Sequence, residues 1–441
     1  MDAYEASCPE MKRKTNRSVP WWISNLETLK KKSRKLFNKA KNTGDWESYK
    51  AASRLYNKEI RRAKQESWDK FCQNMNDIPT ASRLHRLLAK DHTNQIGNLM
   101  KPDNTLTCNE QETLELLANE HFPDHTYSKR NSETEYDSSG NTDIRISKES
   151  LTIFSISKVK WAINKFSEFK SPGEDEIFPA LLQKGFKHIK ETLISLFTAS
   201  YCSGYIPQAW RKVLVTYIPK AGKRPSNQPR SFRPISLSSF LQKTMERIIE
   251  NYIKQEILSR YPLHDNQFAY QQGKSTISAI QCLTNKIKKA IENSEIALVA
   301  SIDIEGAFDN ASYQAIEIAL ERRKCPTKMI TWIKSMLISR EMITKIGKIS
   351  KEFNATKGCP QGGVLSPLFW TLIADEMLEK LHNQGCFAIA YADDIIIVII
   401  GKFGETVSNI MKHKLKFLMN FTKNLGLSVN SAKTTVVPFT R

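Results

Sequence analysis

The sequence has few of the features that mark secreted, zinc-ribbon or membrane proteins. Its eight cysteines lie at positions 8, 72, 108, 202, 282, 325, 359 and 386, and no two have the close spacing that zinc ribbons and redox motifs need. The longest aliphatic run, Ile395 to Ile400, is far too short to cross a bilayer, and no apolar N-terminal segment resembles a signal peptide. We therefore expect reduced thiols and an intracellular protein, nuclear or cytoplasmic, without a membrane partner.

Acidic residues are in short supply relative to basic ones. The chain has 66 Lys and Arg against 46 Asp and Glu, a formal charge of +20, with 40% hydrophobic residues over 441 positions. This composition predicts folded domains with a positive potential that attracts a polyanion, and nucleic acid is the leading partner. A solvated basic surface would have the same composition, so charge alone favours neither nucleic-acid binding nor a merely solvated surface.

Composition also divides the chain into segments. Residues 1–122 form a basic helical extension by this interpretation, with 18 Lys and Arg against 9 Asp and Glu in its first 72 residues. Residues 123–150 are polar with little to bury, which predicts a linker or a surface loop. Within the extension, Asn109 is predicted to cap a helix from Glu110 to Glu120. Beyond residue 150, helical patterns, among them 158–169, 327–338 and 405–424, alternate with scattered short β-rich runs and a β-turn-β centred on Ala392-Asp393. This pattern predicts an α+β fold, not a doubly wound sheet.

Three carboxylates stand at the ends of apolar strand-like runs. Asp393 and Asp394 separate two β-prone segments, and Asp303 ends a third, Ala297 to Ile302. An isolated Asp-Asp pair is most often a solvated turn, but burying acids beside such apolar strands requires a cationic partner. Carboxylate oxygens suit Mg²⁺, and two such ions can clamp the attacking and leaving oxygens of a phosphoryl transfer. The pattern favours a two-metal site.

Two further segments suit a phosphorylated ligand. Gly362 and Gly363 follow Gln361 in a loop where backbone can approach a ligand closely. Upstream, cations cluster around Lys223 and Arg233, as binding of a triphosphate would require. Either segment alone is as well explained by an ordinary turn or a solvated basic loop.

Six motifs in order resemble the reverse transcriptases of non-LTR (LINE-like) retrotransposons, of the arthropod jockey and R1 type. They are Lys170-Ser-Pro-Gly-Glu-Asp175, Ile218-Pro-Lys-Ala-Gly-Lys223, Phe232-Arg-Pro-Ile-Ser236, Ser301-Ile-Asp-Ile-Glu-Gly-Ala-Phe-Asp309, Gly358-Cys-Pro-Gln-Gly-Gly-Val-Leu-Ser-Pro367 and Tyr391-Ala-Asp-Asp394. Leu425 to Thr434 resembles the next motif of that family. The resemblance implies the fingers and palm of a right-hand polymerase, with fingers and the start of the palm in 151–296 and the palm in 297–441.

The resemblance also implies an activity and its partners. The chain would be an RNA-directed DNA polymerase that extends a DNA primer on an RNA template with deoxynucleoside triphosphates, using two Mg²⁺ ions, with Mn²⁺ possible. Asp303 and Asp393 would bridge the metals, with Asp394 as an accessory ligand. The remaining roles are a steric gate at Phe308, a nucleotide contact at Gln361, triphosphate binding at Arg233 and Lys223, and a proton donor to pyrophosphate at Lys433.

Two alternatives stay open at this point. An RNA-dependent RNA polymerase shares the palm and the acids, although Phe308 offers a ring where such an enzyme needs a polar residue. A non-catalytic RNA-binding remnant of a retroelement would need only the basic extension. Because the resemblance ends soon after the palm, we expect the thumb to be absent and the chain to be part of an ORF2-type polyprotein. The sequence does not predict the oligomeric state.

Overall fold

The computed structural model describes residues 21–73, 96–127, 152–220, 227–347 and 349–441. Lys223 and most of the predicted linker, 123–150, lie outside the described residues. The chain divides into two compact units, Met1–His92 and Thr93–Arg441.

The N-terminal unit contains a pair of helices, α1 (Ser24–Thr43) and α2 (Trp46–Gln73). The chain turns between them at Gly44, whose φ of 75° suits glycine and whose N–H donates to the Ala40 carbonyl at 2.9 Å. Leu26 and Ala40 of α1 and Ala63 of α2 are buried. These small and apolar residues form the seam between the two helices, and the charged residues lie mostly outside it.

Aromatic side chains also contribute to this helix pair. Phe37, Trp46 and Tyr49 pack edge to face around the turn, with ring centroids 5.2 to 6.2 Å apart. At the other end of the pair, the ammonium of Lys64 lies over the Trp21 ring at 4.7 Å. Several aromatic residues of the extension therefore pack within the unit.

The larger unit contains eleven described helices besides two short helical turns. They are α3 (Glu110–His121), α4 (Ile156–Asn164), α5 (Pro179–Ser203), α6 (Gln208–Arg211), α7 (Phe240–Tyr252), α8 (Thr276–Glu292), α9 (Ala307–Asn310), α10 (Tyr313–Arg322), α11 (Thr327–Ile338), α12 (Ser366–Asn383) and α13 (Gly404–Asn424).

Its strands form two sheets. In chain order they are β1 (Lys212–Pro219), β2 (Phe232–Leu237), β3 (Ile296–Glu305), β4 (Glu341–Ile346), β5 (Ile349–Asn354), β6 (Phe387–Tyr391), β7 (Asp394–Gly401), β8 (Ser428–Val429) and β9 (Thr435–Phe439). The four-stranded sheet has the order β2-β1-β4-β5, and only the β1–β4 pair is parallel. The five-stranded sheet has the order β6-β7-β3-β8, with β9 also paired to β3. The mixture of helices and separate sheets is the α+β class that the sequence predicts.

The five-stranded sheet is covered on both faces. Ile302 and Ile395 point into the main core, which also contains Trp370 of α12. Val299 and Val398 point to the opposite face, where they pack with Ile287 of α8. Burial on both faces explains why β3 and β7 are apolar nearly throughout, since polar residues would be left without water or partners.

The four-stranded sheet has its own core. Leu114 and Leu117 of α3 pack against Val213 and Val215 of β1. Asn109 caps α3 as predicted, because its side chain accepts from the Glu112 N–H. This helix therefore belongs to the larger unit, whereas the sequence grouped it with the basic extension.

Besides the short elements α6, α9 and β8, two elements were not predicted from the sequence. Helix α8 begins at a capping box formed by Ser275 and Ser278, a signal present in the sequence. Strand β2 lies within the motif around Arg233 and is too short to stand out from its neighbours. The predicted helix 158–169 is wrong in its bounds, since α4 ends at Asn164.

A buried ion pair ties three segments of the larger unit together. Asp375 of α12 is fully buried and accepts from Arg323, and it also accepts from the backbone N–H of His264 at 2.6 Å. Because a buried carboxylate without partners is costly, this cluster fixes α12 relative to the chain after α10. No described helix is long and apolar enough to span a membrane.

Candidate active site

A cleft of about 1090 Å³ in the larger unit has walls from both sheets. Phe232 and Arg233 of β2 line one wall, and Asp303 of β3 lines the other. The loop Gln361–Gly363 and the segment around Asn430 complete it. Because its lining includes carboxylates, cations and an aromatic ring, the cleft can bind a charged ligand with an apolar part.

The paired strands β3 and β7 bring the predicted acids together. In the antiparallel register Asp303 lies directly opposite Asp394, and Asp393 precedes Asp394 in the tight turn from β6. The Ile304 N–H donates to the Asp393 carbonyl at 3.3 Å. Asp303 and Asp393 line the cleft, and Asp394 is exposed outside its lining.

The turn that carries Asp393 is hydrogen-bonded to a side chain of α12. Ala392 has a φ of 53°, a left-handed conformation that costs free energy for a residue with a Cβ. The buried indole of Trp370 donates through Nε1 to the Ala392 carbonyl at 2.6 Å. This hydrogen bond offsets part of the strain and fixes the height of the turn above α12.

A lysine neutralises Asp303 in this structure. The Lys433 ammonium lies 3.0 and 2.9 Å from the two carboxylate oxygens of Asp303. The segment is held in place because the Asn430 N–H donates to the Asp303 carbonyl at 2.9 Å. Lys433 thus stands where a positive charge is needed, and its side chain remains 63% exposed.

The acids affect each other electrostatically. The pKa of Asp394 is raised, first by desolvation and then by the negative charges of Asp393 and Asp303, while Lys433 opposes the shift. Carboxylates that repel one another in this way bind hard cations such as Mg²⁺, so the donor type and charge fit a divalent ion. Among the residues that the structure describes, however, no three His, Cys, Asp or Glu side chains form a metal-ligand cluster.

Phe308 and Gln361 both line the cleft. Phe308 is half-buried in α9, five residues after Asp303. The Gln361 side chain lines the cleft, but its amide nitrogen donates to both oxygens of Asp309, at 2.8 and 2.9 Å. Asp309 had no predicted role, although it belongs to the motif that contains Phe308.

The structure describes one of the two basic residues predicted to bind a triphosphate. Arg233 is exposed and lines the cleft, and Lys223 lies outside the described residues. Lys220, two residues past Ile218, also lines the cleft, and its ammonium donates to the Arg230 carbonyl at 2.6 Å. It belongs to the same motif as Lys223, and nothing in the residue pattern favours it over Lys223.

Arg340 is a site residue that the sequence did not indicate. It is buried, and its guanidinium donates to the carbonyl of Gly358 at 2.6 Å and to that of Lys357 at 3.3 Å. The Gly358 N–H donates to Ala311 at 2.8 Å, and the Cys359 N–H donates to Phe308 at 2.7 Å. The glycine-rich loop is therefore hydrogen-bonded along its length to the segment that carries Phe308.

This arrangement predicts an unequal effect of alanine at two glycines. Gly358 has a φ of +77°, and an added Cβ would lie 2.4 Å from the Asp309 carbonyl oxygen. Gly385 has a φ of +71°, and its Cβ would meet nothing within 4 Å. We expect Gly358→Ala to lower the free energy of unfolding by at least about 3 kcal/mol and Gly385→Ala by about 1 kcal/mol. Urea unfolding measures both, and equal decreases would contradict the close approach of the two segments.

Comparison with known proteins identifies the family of this site. Residues 218–439, just over half of the chain, match the family model of reverse transcriptase (RNA-dependent DNA polymerase). The chain is 29% identical over 272 residues to the retrovirus-related Pol polyprotein from type-1 retrotransposable element R1 of Bradysia coprophila, covering 61% of this chain and 26% of the relative.

A second relative covers nearly the whole chain. The RNA-directed DNA polymerase from mobile element jockey of Drosophila melanogaster is 26% identical over 438 residues, which is 96% of this chain and 47% of the relative. Among solved structures, apo telomerase from Candida tropicalis, truncated from its C-terminal domain, is 17% identical over 57% of this chain and 55% of that chain, with a TM-score of 0.39. The chain thus spans less than half the length of these two curated relatives.

The matched residues include Asp303, Phe308, Gln361 and Asp393. The resemblance to the polymerases of non-LTR retrotransposons is confirmed by the relatives, and the chain belongs to the reverse transcriptase family.

Proposed function

We propose that this chain is an RNA-directed DNA polymerase of a non-LTR retrotransposon, which extends the 3′-hydroxyl of a DNA primer on an RNA template inside the cell. The observation that supports it most is the register of β3 and β7, which holds Asp303 beside the Asp393–Asp394 turn on a large cleft. Family membership supports the reaction class. We assign the five-stranded sheet to the palm and strands β1 and β2 of the four-stranded sheet, with Arg233, to the fingers.

Asp303 and Asp393 would hold two divalent cations, Mg²⁺ or Mn²⁺, with Asp394 as an accessory ligand. When bound, the cations would neutralise the phosphates and lower the pKa of the primer hydroxyl. Asp394 suits the lesser role because it lies outside the cleft lining. Lys433 would leave Asp303 as the cations bind, which frees its ammonium to donate a proton to the departing pyrophosphate.

The remaining cleft residues would select and orient the nucleotide. Arg233 with Lys223, and Lys220 beside them, would bind the triphosphate through charge-assisted hydrogen bonds. The ring of Phe308 would exclude a ribose 2′-hydroxyl, and Gln361 would contact the nucleotide beside it. An RNA-dependent RNA polymerase would need a polar group in place of the Phe308 ring, so that alternative has less support.

The first prediction from the proposed function concerns the carboxylates. Asp393→Asn should reduce primer extension on an RNA template at least about a hundredfold, because a metal ligand contributes several kcal/mol and each 1.36 kcal/mol is a factor of ten. Mn²⁺ binding, followed by electron paramagnetic resonance, should weaken in parallel. Asp265→Asn removes the same charge from an exposed residue outside the cleft and should change neither quantity. Extension by Asp393→Asn at the wild-type rate would show that the assignment is wrong.

The second prediction concerns sugar selection. Phe308→Ala should reduce the preference for deoxynucleotides over ribonucleotides, measured as a ratio of kcat/KM values, by about ten- to a hundredfold. The cause is removal of a steric clash, so the gain should come from faster ribonucleotide incorporation. Phe169→Ala, at a side chain that is 79% exposed, is the control and should keep the wild-type ratio. An unchanged ratio in Phe308→Ala removes the gate from the proposal.

The third prediction concerns the basic extension. Lys31, Lys32 and Lys35 are exposed on α1, whereas several aromatic residues of this unit pack within it, so we assign RNA contact to the lysines. Changing all three to glutamine should weaken RNA binding. The slope of log affinity against log salt should become shallower by about 0.7 to 0.9 for each phosphate that the variant no longer neutralises.

A matched triple variant controls for net charge. Lys412, Lys416 and Lys423 are exposed on α13, and their change to glutamine removes the same charge from another surface. Filter binding of RNA at several salt concentrations compares the two triple variants. Equal salt slopes in the α1 variant and the wild type would leave the extension without a role in RNA binding, and would also weigh against the remnant alternative.

A further inference from the structure

The pair formed by Asp309 and Gln361 has a definite hydrogen-bond polarity. An ionised carboxylate can only accept hydrogen bonds, so the group of Gln361 that faces Asp309 must be its NH₂. The distances of 2.8 and 2.9 Å engage this nitrogen with both oxygens of Asp309. The amide oxygen of Gln361 is left without a hydrogen-bond donor among the described residues, and the side chain lines the cleft.

The backbone around this pair is fixed on every side. The Gln361 carbonyl accepts from the Ser236 N–H of β2 at 2.7 Å, which ties the loop to the four-stranded sheet. Arg340 holds Gly358 from the other side, and Cys359 is bonded to Phe308. Because the backbone is held, only the Gln361 side chain can reorient, and its hydrogen bonds to Asp309 determine the orientation of the amide.

The surroundings of Asp309 raise its pKa toward neutral pH, so its charge changes near that pH. Desolvation raises its pKa to about 6, against the opposing effects of the Gln361 hydrogen bond and the positive charges of Lys220 and Arg340. The other titratable groups facing it are Tyr217 and Cys359, and burial raises the pKa of both, to about 12 for the thiol. Both therefore stay neutral between pH 5 and 8. The ring of His121 packs against Tyr217, and burial lowers the pKa of His121 to about 4. Asp309 is therefore the group in contact with Gln361 whose charge changes over that range.

We propose that Asp309 is a positioning residue that holds the Gln361 amide with its oxygen toward the cleft, so that a bound deoxynucleoside triphosphate meets a hydrogen-bond acceptor there. The ligand class rests on the proposed function, whereas the polarity of the pair rests on the contacts alone. Phe308 and Gln361 both line the cleft, so the acceptor would lie on the same binding surface as the proposed gate. Protonated Asp309 becomes a donor, and the amide can then turn its nitrogen to the cleft.

Nuclear magnetic resonance of the full chain tests the pair without requiring activity. The protein is labelled with ¹⁵N at glutamine side chains, and the Gln361 amide signal is identified by its disappearance in Gln361→Met. We expect this signal to shift with a midpoint near pH 6 in the wild type and in Asp265→Asn, and to show no transition in Asp309→Asn. A wild-type signal without a transition between pH 5 and 7 would overturn the proposal.

Kinetics tests the consequence for the nucleotide. In Asp309→Asn the new amide can donate or accept, so Gln361 is no longer held in one orientation. We expect KM for the deoxynucleotide to rise about three- to tenfold at pH 7.5 with kcat little changed. In the wild type KM should rise as the pH falls below 6, and in Asp309→Asn it should stay high and vary little.

The outcomes separate this proposal from the proposed function. A wild-type KM and pH profile in Asp309→Asn, or a decrease confined to kcat, overturns the positioning role. If the wild type extends no primer under any condition, the proposed function fails, and the resonance titration still decides whether Asp309 sets the orientation of Gln361.

Discussion

The pairing of β3 with β7 is the constraint on which the rest of the site depends. Side chains on a strand alternate between faces, so a slip of one residue would turn the buried isoleucines of the slipped strand to the opposite face. The sheet is covered on both faces, and such a slip is costly on either one. The apolar register therefore fixes Asp303 opposite Asp394, and the position of the acids follows from hydrophobic packing.

Charge then determines what this edge of the sheet can bind. Desolvation and the neighbouring carboxylates raise the pKa of Asp394, and the Lys433 ammonium lies against Asp303 as a counter-charge. A lysine on an exposed segment is a replaceable counter-charge, since its side chain can move into water at little cost. By contrast, Arg323 and Asp375 are buried together in the core, where neither can leave. The exposed Lys433–Asp303 pair can separate when cations bind, and the buried Arg323–Asp375 pair stabilises the fold.

Sequence patterns predicted the long and strongly periodic elements well. The predicted bounds of α11 and α13, and the β-turn-β at Asp393, agree with the structure to within one residue. Helix α8 was missed, although Ser275 and Ser278 form a capping box and Ala279, Leu283, Ile287 and Ala290 recur at helical spacing. Strand β2 was missed because six residues carry little periodicity of their own. Its place in the sheet is determined by pairing with β1.

The sequence by itself determined the family, the three acids and the charge that favours a polyanionic partner, since these depend on residue type and order. Only the tertiary structure decided which groups meet across the site. Asp309 and Gln361 are 52 positions apart, and Lys433 is 130 positions from Asp303. Arg340 reaches the glycine-rich loop through backbone carbonyls, which every residue has. Such contacts leave no local pattern in a sequence, because they arise from the packing of distant segments around shared cores.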